Sequence, residues 1–110
     1  MRCGFVVRPR ADRDIDEIAD YLAGQAGPDI GLRFLREVFE TFTVLGTRPE
    51  IGWHCKVRHP RLITARTIRV SERFDKFLIF YQPYDDRIEI LRLLHGAQDL
   101  ATLFEREGID

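Results

Sequence analysis

The sequence has few residues that form cross-links, no long apolar run and almost no net charge. Its 110 residues include two cysteines, Cys3 and Cys55, and the formal net charge is -1. Without CxxC spacing, these cysteines indicate neither a disulfide framework nor a zinc knuckle. No apolar run approaches the roughly 20 residues that cross a bilayer, and the first residues lack the apolar core of a signal peptide. We therefore expect reduced, partly buried cysteines in a cytoplasmic protein with no membrane partner.

Cys55 stands between His54 and His59, which raises the question of a metal site. Two imidazoles and one thiol in a predicted loop fall short of any ligand pattern with diagnostic spacing. We expect neither a bound metal nor a cofactor.

The composition is that of a soluble globular protein. Hydrophobic residues make up 45% of the chain and include eight phenylalanines, while 32% of the residues are charged. This apolar content is enough for one modest core, and the charged fraction argues against disorder. A chain of this length fits a single domain, so we expect one domain over residues 1–110.

The balanced charge total hides an uneven distribution along the chain. Acids gather between Asp12 and Asp20 and near the C-terminus, whereas the stretch from Lys56 to Arg73 holds one acid, Glu72. Its basic residues are Lys56, Arg58, Arg61, Arg66, Arg69 and Arg73. This stretch is either a surface for an anionic partner or a set of solvated side chains, some of them paired with the acidic helix.

Periodicity predicts a short strand followed by two helices. Residues 5–8 suit a strand that Pro9 ends, since proline cannot donate a ladder hydrogen bond. Apolar residues then recur at helical spacing from Asp12, the expected N-cap, to Ala26. A second apolar stripe runs from Pro28 to Gly46. The connection is so short that the helices should form an antiparallel hairpin packed on a sheet.

The second half of the chain predicts three strands and a short helix. Residues 53–61 have no clear period and are expected to be a loop, whereas residues 62–70 are rich in β-branched residues. The continuous apolar run of residues 77–81 is typical of a central strand covered on both faces, and a turn joins it to residues 88–94. Residues 99–107 can form one short helix. The fold class is therefore α+β, with a helical hairpin packed on a largely antiparallel sheet of about four strands.

Four short motifs lie at scattered points of this arrangement. They are Arg8-Pro9-Arg10-Ala11-Asp12, Pro49-x-x-Gly52, Phe77 to Tyr81, and Leu94-His95-Gly96-Ala97. Their order and spacing, with the order of elements, resemble the RelE/ParE superfamily of bacterial toxins over nearly the whole chain. Within it the chain is most similar to the ParE branch.

The resemblance to ParE implies the toxin of a type II toxin-antitoxin module, which inhibits bacterial growth. It implies DNA gyrase as the target and a cognate ParD-like antitoxin that holds the toxin in a hetero-oligomer. Activity would then come from binding and not from enzymatic chemistry. The family usually has an arginine where this chain has Gln98, so any role of that guanidinium is absent here or taken by Arg92.

The RelE branch implies an alternative, a ribosome-dependent mRNA endoribonuclease. That reaction needs groups that deprotonate the 2'-hydroxyl, stabilise the charged intermediate and protonate the leaving oxygen. The residues available for it are His95, Arg69, Arg73 and Arg92. Histidine is the residue type whose charge most readily changes near neutral pH, so His95 would be the general acid or base of this reaction. The ParE branch often has a His-Gly here, and this favours a corner residue that caps the strand end or hydrogen-bonds the backbone.

Basic residues are also the candidates for binding gyrase or the antitoxin. They are Arg58, Arg66, Arg69, Arg73, Lys76 and Arg92. Arg92 shares the face of Ile90 and Leu94 unless the strand is bulged, and it either pairs with an acid or joins a partner site. Tyr81 is expected in the core with its hydroxyl hydrogen-bonded, and Trp53 either anchors a partner or covers the core.

Overall fold

The computed structural model describes residues 4–109, which form three helices and one five-stranded sheet. The elements are β1 (Gly4–Val7), α1 (Pro9–Ala26), α2 (Pro28–Thr47), β2 (Trp53–His54), a 3₁₀ turn (Pro60–Leu62), β3 (Arg66–Arg69), β4 (Phe77–Pro83), β5 (Arg87–His95) and α3 (Leu100–Glu107). The strand order is β1-β5-β4-β3-β2, with β1 parallel to β5 and the other pairs antiparallel. The predicted α+β class is confirmed.

The additional strand, β2, lies in the segment predicted as a loop. It consists of two residues, with Trp53 opposite Thr67 and His54 opposite Arg66. Two ladder positions are too few to produce a detectable period in the sequence. The predicted strand over residues 62–70 is also shorter than expected, since β3 begins only at Arg66.

Helix α1 begins earlier than predicted. Arg8 stands at the N-cap with extended backbone angles, Pro9 is the first helical residue and Asp12 lies inside the first turn. The prediction of Asp12 as the N-cap is therefore wrong. Proline suits the first helical position because its φ is already helical and its missing N–H has no intrahelical acceptor there. Asp12 still interacts favourably with the helix dipole.

The sheet is covered on both faces, as the apolar run of β4 predicts. On one face, which we call the hairpin face, α1 and α2 bury Phe34, Phe42, Ile79 and Tyr81 among others. The opposite face, which we call the α3 face, is covered by α3 and the chain between β2 and β3. Its core includes Leu62, Phe80, Leu94 and Phe104. Alternate residues of β4 therefore enter different cores.

Strand β5 is bulged at Leu91. Arg92 is the partner of Phe80 and Ile90 is the partner of Tyr81, so Leu91 has no partner. Ile90 packs on the hairpin face, whereas Leu91 and Leu94 pack on the α3 face. The bulge places Arg92 on the face of Leu94 and not on that of Ile90, which is the exception that strict alternation left open.

The described part of the chain shows where Cys55 lies and whether it contains clusters of metal ligands or helices that could cross a membrane. Cys55 is a partly buried free thiol packed against the α3-face core, and the expectation for Cys3 lies outside the described residues. Between residues 4 and 109, no three His, Cys, Asp or Glu side chains gather as potential metal ligands. No helix in this range is long and apolar enough to cross a membrane.

Candidate functional site

Arg92 lies at the centre of a buried network that joins α1, β5 and α3. Its Nε donates to Asp14 Oδ2 at 2.7 Å, and its Nη2 donates to Asp14 Oδ1 at 3.1 Å and to Glu107 Oε1 at 3.2 Å. Nη1 donates to the carbonyl of Gly108 at 3.0 Å. Only 1% of the surface of Arg92 is exposed. Of the two predicted roles, the structure shows the pairing of Arg92 with an acid. A contact between Arg92 and a partner protein stays a prediction, and it would require α3 to move.

Sequence reasoning missed the role of Asp14. The carboxylate binds Arg92 through both oxygens, and it also accepts a hydrogen bond from the backbone N–H of Leu93 at 3.1 Å. Asp14 follows Ala11 by three residues and precedes Ile18 by four, so it lies on the apolar stripe of α1. A carboxylate in such a position indicates a buried cationic partner, because an unpaired buried charge is costly.

The electrostatics of the network hold α3 against the sheet. Burial opposes the charge on Arg92, but the hydrogen bond and charge of Asp14 outweigh it and raise the pKa of the guanidinium. Burial likewise opposes ionisation of Glu107, yet Arg92 and Arg10 together lower the pKa of this carboxyl group. Arg10 Nη2 lies 2.6 Å from Glu107 Oε1 and adds a second link between α1 and α3.

Acid is expected to weaken the docking of α3 through Glu107. The pKa of Glu107 is lower in the folded state, so its stabilisation is present above the unfolded pKa and is lost as pH falls through the folded value. Urea unfolding at pH 7, 5 and 3 should show a falling free energy of unfolding. Glu107→Gln should lose less stability than wild type between pH 5 and pH 3.

The matched control for this experiment is Glu105→Gln, which removes an exposed carboxylate from the same helix. This variant should follow the wild-type pH dependence. The pKa values of Glu89 and Asp99 are also lowered, so part of the acid sensitivity remains in every variant. An unchanged pH dependence in Glu107→Gln would contradict the role of Glu107.

A cleft of about 380 Å³ opens between α1, the end of β5 and α3. The ion pair of Arg92 and Asp14 lies in its lining, together with apolar side chains such as Leu103. Tyr21, which is 62% exposed, and His95 also border the cleft. Because the buried charges are already neutralised by each other, the cleft offers a partner mainly apolar contacts and the polar groups of its border.

His95 forms a hydrogen-bonded corner at the end of β5. Its Nδ1 accepts the backbone N–H of Ala97 at 3.0 Å, and its ring packs edge-on against Phe77 with centroids 5.1 Å apart. The amide oxygen of Gln98 accepts the backbone N–H of His95 at 3.1 Å. An arginine at position 98 has no acceptor atom and could not make this bond. Gln98 therefore stabilises the corner in a way that an arginine at this position could not.

The four residues considered for ribonuclease chemistry do not converge. His95 lies at the end of β5 on the hairpin face, whereas Arg69 lies on the α3 face of β3, two strands and about 10 Å away across the sheet. Arg92 is held in its buried network. Arg73 lies beside α2, with its Nε 4.0 Å from Glu37 Oε2.

The other basic candidates differ in how available they are to a partner. Arg66 donates to the carbonyls of Glu50 and Gly52 and so holds the segment before β2. Arg58 and Lys76 are exposed and form no ion pair within residues 4–109. The structure thus separates Arg66, which supports the fold, from side chains that are free to meet a partner.

Arg69 stacks on Trp53, a contact that sequence reasoning missed. The guanidinium carbon lies 5.2 Å from the centroid of the indole ring, and Trp53 remains 39% exposed. Both side chains lie on the α3 face because Trp53 pairs with Thr67, two residues before Arg69. The pair could have been predicted only if residues 53–54 had been recognised as a strand next to β3.

The hydroxyl of Tyr81 explains the Pro49-x-x-Gly52 motif. It donates to the carbonyl of Pro49 at 2.8 Å and accepts the N–H of Gly52 at 3.0 Å, which confirms that this buried hydroxyl is hydrogen-bonded. Burial raises the pKa of Tyr81, so the hydroxyl keeps the proton that it donates. A Cβ atom at position 52 would lie 2.5 Å from this oxygen, and only glycine fits there.

Comparison with solved structures shows which known fold this chain shares. A chain described as the chromosomal ParDE toxin-antitoxin system from P. aeruginosa matches with a TM-score of 0.69 and 22% identity, covering 86% of this chain and 96% of that chain. A chain of the toxin-antitoxin complex RelBE2 from Mycobacterium tuberculosis matches with a TM-score of 0.55 and 18% identity, covering 89% and 95%. At these identities the matches show a shared fold, that of RelE/ParE toxins.

The family follows from a sequence model. The model described as the ParE toxin of type II toxin-antitoxin system, parDE, matches residues 5–100. This chain therefore belongs to the ParE toxin family, and the predicted superfamily and branch are both confirmed. No curated protein matches the chain significantly.

Proposed function

We propose that this protein inhibits bacterial growth by poisoning DNA gyrase and that a cognate ParD-like antitoxin neutralises it. Its membership of the ParE toxin family supports a toxin that acts with an antitoxin, in the cytoplasm. The observation that favours action by binding is the burial of Arg92, whose guanidinium is bonded to Asp14 and not presented to a phosphate. The exposed basic residues Arg58, Arg69 and Lys76 are the proposed contacts with the complex of gyrase and DNA.

An open sheet edge and an apolar helix surface support the antitoxin as partner. β1 is the last strand of the sheet, so its outer edge has no strand partner among residues 4–109. Such an edge accepts an added strand through its backbone groups. Beside it, Phe39 of α2 is 39% exposed, contacts Phe5 and lines a shallow groove with Leu35. This surface fits an amphipathic segment, and the complex would be a hetero-oligomer.

Purified toxin is expected to convert gyrase into a DNA-breaking enzyme. With gyrase, ATP and relaxed plasmid, micromolar toxin should inhibit supercoiling, and linear DNA should accumulate after detergent and protease treatment. A fragment of the antitoxin in equimolar amount should abolish both effects. In cells, induction of the toxin without the antitoxin should arrest growth, and co-expression of the antitoxin should restore it.

Two results would contradict gyrase poisoning. The first is an absence of both inhibition and linear DNA at micromolar toxin when growth still arrests. The second is the appearance of cuts within codons of translated messages, detected by primer extension after induction and lost in His95→Ala. The second result would favour the ribosome-dependent endoribonuclease instead.

A further inference from the structure

The segment from Trp53 to Arg69 contains basic residues and no acid. It holds five lysines and arginines, two histidines and no aspartate or glutamate. The cations are Lys56, Arg58, Arg61, Arg66 and Arg69. An uninterrupted run of one sign produces a positive potential that nearby carboxylates of the same segment do not cancel. This potential persists locally although the net charge of the whole chain is only -1.

The fold turns several of these cations toward solvent on one side of the sheet. Cys55 and Val57 pack inward against the α3-face core. Lys56 and Arg58, which alternate with them, are exposed. Trp53 and Arg69 lie on the same face, as their pairing in β2 and β3 requires. The acids of residues 12–20 are on α1, which covers the opposite face. Glu105 and Glu107 are on α3, which shares the face of these cations, and Glu107 is bonded by Arg10 and Arg92.

The stacked pair of Trp53 and Arg69 is suited to an anion of defined geometry. Arg69 is exposed and has no carboxylate partner among residues 4–109, and one face of its guanidinium lies on the indole. Stacking orders the side chain before a ligand arrives and leaves the N–H edges able to bind a phosphate through two parallel hydrogen bonds. The exposed part of the indole can then contact the sugar next to that phosphate.

We infer that the surface formed by Trp53, Lys56, Arg58 and Arg69, here called the basic face, binds the phosphate backbone of duplex DNA. DNA carries a charge about every 1.7 Å along its axis and so suits a segment that has five cations and no acid, whereas protein surfaces intersperse both signs. The inference goes beyond gyrase binding and does not require it. If the protein also poisons gyrase, the basic face lies on the DNA of that complex.

The test measures binding to DNA in the absence of gyrase. The anisotropy of a fluorescently labelled 20-base-pair duplex should rise with toxin at 50 mM salt. For three phosphate contacts the affinity should fall roughly 40-fold between 50 and 200 mM salt. Arg69→Ala should weaken binding about fivefold at 50 mM and reduce the salt slope by about one. Trp53 is the single tryptophan, so a change in its emission on adding DNA reports contact at this face.

Two matched variants and one competitor complete the design. Arg36→Ala removes another exposed cation, from α2 on the opposite side of the sheet, and should leave DNA affinity within about twofold. Arg69→Lys keeps the charge but loses the planar stack and fork, so its affinity should lie between those of Arg69→Ala and wild type. Urea unfolding checks that each variant is folded.

Three outcomes would overturn the inference. They are an absence of DNA binding at 50 mM salt, equal losses in Arg69→Ala and Arg36→Ala, and displacement of the duplex by polyglutamate as effectively as by unlabelled DNA. Binding that meets the expected pattern in a protein that does not inhibit gyrase would support the basic face and reject the proposed target. The two proposals therefore fail separately.

Discussion

Asp14→Ala is expected to lower the free energy of unfolding by about 3–5 kcal/mol, because it leaves the buried guanidinium of Arg92 without its main counter-charge. It also removes the acceptor for the backbone N–H of Leu93. Glu107 remains as a partner, but its single contact at 3.2 Å cannot replace two bonds from one carboxylate. Urea denaturation at pH 7, followed by circular dichroism, measures the loss.

The control is Asp16→Ala, which removes an exposed acid from the same helix and should change stability by no more than about 0.5 kcal/mol. In the double variant Asp14→Leu with Arg92→Met, both charges are gone and part of the stability should return. Similar losses for Asp14→Ala and Asp16→Ala would show that the buried pair contributes little. Loss of toxicity in Asp14→Ala should accordingly be attributed to loss of fold before any contact with a target is inferred.

Gly52→Ala is expected to cost about 2–4 kcal/mol, because the added methyl must displace backbone and break the hydrogen bonds of a buried hydroxyl. Its Cβ would lie 2.5 Å from the hydroxyl oxygen of Tyr81 and 2.9 Å from the carbonyl oxygen of Thr67. The hydroxyl links Pro49 and Gly52, so the segment that enters β2 should move with it. The midpoint of urea denaturation measures this effect.

Gly24→Ala provides the matched control, since a Cβ there meets nothing within 4 Å. Gly24 lies in the last turn of α1, where this change should stabilise the protein by up to about 1 kcal/mol. Tyr81→Phe removes the nearest oxygen, so the loss caused by Gly52→Ala should be smaller in a Tyr81→Phe background than in wild type. Additive losses in the double variant would contradict the clash with the hydroxyl.

The proposed DNA binding is also expected to depend on Gly52. Trp53 directly follows Gly52, so a displaced segment would also move the indole on which Arg69 stacks. Gly52→Ala should therefore weaken DNA binding even in conditions where the protein remains folded. Arg69→Ala removes the contact without disturbing the core. Comparing the two variants therefore separates the effect of displacing Trp53 from the effect of removing the charge of Arg69.

Most elements could be predicted from the sequence because their signals are local. The apolar stripe of α2 and the apolar run of β4 contain the periodicities that helices and covered strands require. β2 escaped prediction because two residues form no period, and the start of α1 was misplaced because Asp12 is also a good N-cap residue. The motif at Pro49 and Gly52 was visible as a family signature, but its cause, a close approach to Tyr81, was not.

The candidate site was predicted less completely than the fold. His95 and Arg92 were identified, but the buried state of Arg92 depends on Asp14, which is 78 residues away in sequence. The bulge at Leu91 decides the face on which Arg92 lies, and strand alternation alone cannot reveal it. The stacked position of the Arg69 guanidinium likewise depends on Trp53, which only the pairing of β2 with β3 brings near.

Fold class, family and the acid-free run of cations therefore follow from local patterns and from the order in which those patterns occur along the chain. The roles of individual charges depend instead on which distant segments the sheet joins. Arg92 and Arg69 are both arginines on β-strands, yet one is buried against a carboxylate and the other is stacked beside solvent. Burial and counter-charge set what a guanidinium can bind, and both come from contacts that no local pattern encodes.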